Sequence, residues 1–196
     1  WNVLAPDLPG HMRSAGPALE SVEAMADWER VVSINLLGVA RGCHTVTPLF
    51  KEQRSGRIVN VASLGGKRAV PHMLPYDASK FALVGLSTGL RTELAQDGII
   101  VTTVCPGLMR TGSPRHAMFK GQHQKEYAWF SIGDSLPFLS ISAESAAKKI
   151  MRACQDGVSE SIISGAGNVV GSLSQIFPNV TAEVMTMMNY MKKLEK

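Results

Sequence analysis

Residues 57–80, R-I-V-N-V-A-S-L-G-G-K-R-A-V-P-H-M-L-P-Y-D-A-S-K, change period partway along, and the rest of the chain can be arranged around them. Ile58 to Ala62 is a short apolar run with β-branched residues, ended by a serine. It predicts a buried strand with Ser63 at its carboxyl end. A loop containing Gly-Gly and Pro follows, and after Pro75 the pattern turns helical. Tyr76 and Lys80 lie four residues apart on the opening turn, so both side chains project from one face. A serine hydroxyl, a phenol and an ammonium thus reach the same edge of a sheet. Such a set is suited to proton transfer.

Outward from this stretch, the helix is expected from about Tyr76 to Gln96 with Asp97-Gly98 as its stop. Ile99 to Val104 is a second continuous apolar run, ended by Pro106-Gly107. Strand, long helix, strand is the right-handed crossover of a parallel sheet, whose ligands sit beyond the carboxyl ends of the strands. Ser63 and Pro106-Gly107 share that edge. The helix also carries a stripe of small residues, Ala78, Ala82, Gly85 and Gly89. Glycine in a helix costs roughly 1 kcal/mol relative to alanine. Close approach of a second helix or a second subunit would offset that cost.

Upstream, Asp27 to about Gln53 reads as a helix capped by Asp27, apolar on most of its circumference and packed on both sides. Asn35 lies within it. Before it, residues 1–20 are rich in Pro and Gly and read as a loop after a strand end at Trp1–Ala5. Downstream, residues 108–142 form a long irregular segment, expected to be a substrate-binding lid. Its Met109, Met118, Phe119, Trp129 and Phe130 suit an apolar alcohol or ketone; Arg110, Arg115, Lys120 and Lys125 leave room for an acidic one. Ala143 to Gln155 is an amphipathic helix and Glu160 to Ser164 a further strand. Ala182 to Lys196 places Val184, Met187, Met188 and Met191 on one helical face, which suits core or interface cover. The run Gly165–Gly171 imitates a dinucleotide fingerprint, but no later strand completes the unit, so a tight turn is expected.

The 196 residues, 45% hydrophobic and 18% charged, suffice for one sizeable core and predict a single domain. The formal charge of +4 comes from scattered lysines and arginines, which argues against a nucleic-acid partner. Cys43, Cys105 and Cys154 have no metal or redox spacing and suit reduced thiols of a cytoplasmic protein. The five histidines are dispersed, so no metal is expected. No apolar run reaches membrane-spanning length.

The order Asn35, Ser63, Tyr76, Lys80, Pro106-Gly107, Thr111 resembles the short-chain dehydrogenase/reductase family of the Tyr-x-x-x-Lys type. The matching text is I-N-L-L-G, G-R-I-V-N-V-A-S, Y-D-A-S-K and P-G-L-M-R-T, and the likeness runs from about Pro17 to Gly165. It implies a Rossmann-like, doubly wound α/β sheet and hydride transfer between NAD or NADP and an alcohol or carbonyl substrate. In that scheme Tyr76 is the general acid/base and Ser63 hydrogen-bonds the reacting oxygen. Lys80 binds the ribose and lowers the phenol pKa, Asn35 positions a water that relays protons to Lys80, and Pro106, Gly107 and Thr111 fix the nicotinamide. The small-residue stripe, for its part, makes a homodimer or homotetramer the expected assembly. The Gly-rich first turn, the residue that selects NAD or NADP, and an Asn-Asn-Ala-Gly element find no match. The first strands that carry these features in the family would need about 80 to 100 residues at the usual length of a βαβ unit. The alternative is a truncated, non-catalytic relative acting as an oligomerisation or interaction module.

Overall fold

The computed structural model describes residues 22–70, 73–110, 140–164 and 176–194. The expectations for residues 1–20, Thr111, the interior of the 108–142 segment and the 165–171 run lie outside the described residues. Within them the elements are α1 (Val22–Val32), a π-helical stretch (Ser33–Gly38), α2 (Val39–Gln53), β1 (Gly56–Val61) and α3 (Leu74–Leu94). Then come β2 (Ile99–Pro106), β3 (Leu108–Arg110), β4 (Ser140–Ser142), α4 (Ala143–Asp156), β5 (Glu160–Ile163) and α5 (Pro178–Leu194).

The central sheet has the order β1-β2-β5 and is parallel throughout, with Ile58 beside Val101 and Cys105 beside Ile162. Alternation along the strands sends side chains to two faces. Ile58, Val101 and Ile99 meet Cys43 of α2 and Leu94 of α3 on one face; Val104 and Ile163 meet Ala146 of α4 on the other. The result is a three-layer α/β arrangement of the doubly wound kind. Leu83, wholly buried on α3 against Ala62 and Cys105, is a centre of this packing. Burying such a side chain contributes about 1.5–3 kcal/mol.

The elements start and stop where local chemistry dictates. Pro75 sits in the first turn of α3, where its missing N–H costs nothing. Gly98 ends the helix in the left-handed region at φ 72°, and a Cβ there would lie 2.5 Å from the Arg54 carbonyl oxygen. A polar seam crosses the core beneath α3. The Ser87 hydroxyl accepts from the Asn60 amide at 3.1 Å and from the Thr103 hydroxyl at 2.7 Å, so buried polar groups are paired.

Three expectations change. Asp27 lies inside α1, not at the start of a helix. The 27–53 helix is not packed on both sides: Leu37 and Leu49 are 44% and 51% exposed. Among the described residues the sheet and α3 cover one flank, and periodicity cannot say which flank finds a neighbour. The 108–142 segment, expected to be irregular, is clasped at its ends by parallel pairing of β3 with β4. Arg110 donates to the Ser140 carbonyl at 3.0 Å and hydroxyl at 2.8 Å, which locks that pairing.

Candidate active site

Ser63 stands two residues beyond β1, at the carboxyl edge where β2 ends in Pro106 and β5 in Ile163. Its backbone is extended and its hydroxyl accepts the Gly65 N–H at 3.0 Å, capping a short 3-10 turn, Leu64–Gly66. Gly66 has no room for a side chain: a Cβ would lie 2.6 Å from the Lys80 carbonyl oxygen. The loop after Ser63 therefore rests directly on the backbone of α3 at the turn holding Tyr76 and Lys80. Lys67 fixes its far side through an ion pair with Glu160 of β5 at 2.7 Å.

Tyr76 and Lys80 face the same edge, with the ammonium 5.7 Å from the centre of the phenol ring. The Lys80 ammonium also donates to the Val61 carbonyl at 3.2 Å. Burial pushes the Tyr76 phenol above its ordinary value, a hydrogen bond with Ser63 opposes this, and the charge of Asp77 adds to it. Burial also pushes the Lys80 ammonium down to about 8. The expected lowering of the phenol by the ammonium thus gives way to desolvation in the chain by itself. A phenol so placed holds its proton at neutral pH, which suits an acid.

Asn35 lies in the π-helical stretch, a wide turn of a kind frequent at functional sites. Its side-chain amide donates to the Ser79 hydroxyl at 3.1 Å, and that hydroxyl donates to the Tyr76 carbonyl at 2.7 Å. The earlier helix is therefore tied to the turn that carries the phenol. Pro106 and Gly107 lie at the same edge; the Gly107 N–H donates to Ile163, and a Cβ there would strike Ser164 at 2.6 Å. Ser63, Tyr76, Lys80, Asn35, Pro106 and Gly107 are thus gathered around one sheet edge. Asp77 and Ser79 were missed. For Ser79 the signal was present: Ser79, Leu83 and Ser87 are spaced by four along the buried stripe of α3.

A family model described as short chain dehydrogenase matches residues 12–119. The chain belongs to that family. A putative ketoacyl reductase from Streptomyces coelicolor is 48% identical over 86 residues, 43% of this chain and 33% of that protein. Among solved structures, a 3-ketoacyl-(acyl-carrier-protein) reductase from Brucella melitensis complexed with NADH is 25% identical with a TM-score of 0.63, covering 81% of this chain and 63% of that one. A short chain dehydrogenase from Burkholderia cenocepacia shares the fold with a TM-score of 0.68 at 20% identity, covering 90% of this chain and 65% of that one. The match thus takes in a third of the ketoacyl reductase and less than two thirds of either solved relative. Among the described residues, no helix is long and apolar enough to cross a membrane, and no group of three or more His, Cys, Asp or Glu is placed to hold a metal ion.

Proposed function

We propose that this chain carries the catalytic edge of an oxidoreductase that moves a hydride between NAD or NADP and an alcohol or carbonyl compound. One observation carries the reading: a buried phenol beside a serine hydroxyl, with a lysine ammonium 5.7 Å from its ring at the carboxyl edge of a parallel sheet. Two of the relatives reduce ketoacyl compounds by name, and one was solved with NADH, which supports the same class.

The donor set fits the nicotinamide–ribose end of such a dinucleotide. Lys80 and Tyr76 offer donors to ribose hydroxyls, while Pro106, Gly107 and Thr111 are the residues to hold the nicotinamide. The dinucleotide, when bound, supplies or accepts the hydride. Tyr76 protonates the carbonyl oxygen in reduction or takes the alcohol proton in oxidation. Ser63 hydrogen-bonds the same oxygen and stabilises its developing charge. Lys80, near neutrality at about 8, returns protons to the phenol, and Asn35 holds the supporting helix through Ser79.

The test is Tyr76→Phe in an assay with a ketone and NADH or NADPH. Turnover is expected to fall by roughly 10²–10⁴-fold, the usual contribution of a positioned acid. Dinucleotide affinity, read by fluorescence titration, is expected to stay within about twofold, since the phenol is one of several contacts. Unchanged turnover overturns the role of Tyr76. Failure to bind either dinucleotide overturns the reading for this chain.

A further inference from the structure

Asp77 follows the phenol in sequence and is not used in the chemistry above, yet it is 2% exposed. One carboxyl oxygen, Oδ2, accepts the Val70 N–H at 2.8 Å, across the loop that begins at Ser63. The other, Oδ1, has no hydrogen-bond partner among the described residues. It lies 2.7 Å from the place a Gly65 Cβ would occupy, and the same point is 3.3 Å from Cε1 of Tyr76 and 3.4 Å from the Ser63 hydroxyl oxygen. Carboxyl, phenol ring and hydroxyl therefore close around the empty side-chain position of one glycine. That glycine donates its N–H to Ser63 at 3.0 Å. An uncharged amide could accept the Val70 N–H as well, without the cost of a buried charge.

We propose that Asp77 is a positioning residue: it fastens the Ser63–Val70 loop to the turn bearing Tyr76 and, through Gly65, sets the orientation of the Ser63 hydroxyl. Burial chiefly keeps the phenol protonated, and the neighbouring carboxylate charge adds to that. Tyr76 is the titratable group whose own shift registers Asp77. Of the cations near it, Lys67 on the loop is paired with Glu160 and Lys80, one turn along α3, with the Val61 carbonyl. Neither they nor Arg68 contribute to the shift of Asp77, which burial dominates and the Val70 hydrogen bond opposes. The bearing on proton transfer rests on the functional reading above; the tether itself does not.

Amide hydrogen exchange and near-ultraviolet phenol titration test the two parts. In Asp77→Ala, exchange at Val70 is expected to rise at least about tenfold, as loss of a bond to a carboxylate implies, while Leu83 in the same helix stays protected. Asp77→Asn is expected to restore protection at Val70 yet lower the midpoint of the phenol titration that Tyr76→Phe removes. Unchanged exchange at Val70 in Asp77→Ala overturns the tether. An unchanged phenol midpoint in Asp77→Asn overturns the electrostatic part. If Asp77→Ala does not fold, Gly65→Ala is read instead: it should loosen the loop with the carboxyl still present, and unaltered exchange at Val70 overturns the proposal. Loss of dinucleotide binding with both shifts intact would instead sink the functional reading.

Discussion

Asp77 and Lys80 lie three residues apart on α3, and burial drives both toward neutrality. The carboxyl rises from 3.8 to about 7 and the ammonium falls from 10.5 to about 8. Between pH 4 and 7 the folded chain keeps a proton on Asp77 that the unfolded chain releases, so this group's contribution to stability falls as pH rises. Between pH 8 and 10.5 the unfolded chain holds the extra proton on Lys80, so that contribution rises with pH. Both groups are charged together only between about pH 7 and 8, where their combined contribution is lowest. Asp77→Asn should therefore raise the thermal midpoint at pH 8 and leave it nearly unchanged at pH 4. A difference that stays flat across that range would contradict the burial of charge. Ser63, Tyr76 and Lys80 were legible in the sequence because their spacing fixes where they fall relative to strand and helix. Asp77 was not, because a polar residue in a first helical turn reads as solvated until a loop folds over it.

At the scale of elements, the strand–helix–strand unit was readable from period and glycine stops, since both arise within a few residues of chain. The π-helical stretch was not, because no local pattern distinguishes I-N-L-L-G from ordinary helix. It places Asn35 against Ser79, a contact across 44 positions. Asn35→Ala is expected to cost about 1 kcal/mol, the usual net value of one hydrogen bond. Urea unfolding measures it, and an unchanged midpoint would count against the link. Gly66→Ala is the harsher change. Its Cβ would press on the Lys80 carbonyl at 2.6 Å, and backbone there cannot swing aside. Overpacking of this kind costs typically 1–3 kcal/mol, and the same unfolding experiment reads it.

Across the whole molecule, the described sheet ends at β1, where Val61 is 47% exposed. On α3 the small-residue stripe is open as well: Ala78, Ala82, Gly85 and Gly89 are exposed, and a Cβ on either glycine would meet nothing within 4 Å. No helix of the described residues fills the space that the sequence pattern anticipates. A second copy pairing through this face is the expected outcome, read by light scattering after size exclusion, with Gly89→Leu shifting the population toward monomer. A wild-type chain that stays monomeric at micromolar concentration overturns it. The pairing of β3 with β4 has a different kind of consequence. Both ends of the intervening chain are anchored side by side, with Arg110 bound to Ser140 and Ser142 capping α4. What lies between two adjoining anchors can be exchanged without moving the anchors, because loop closure is already provided by the framework. Replacement of the segment between them is therefore expected to leave β3, β4 and the start of α4 in place, a graft the framework tolerates without being rebuilt.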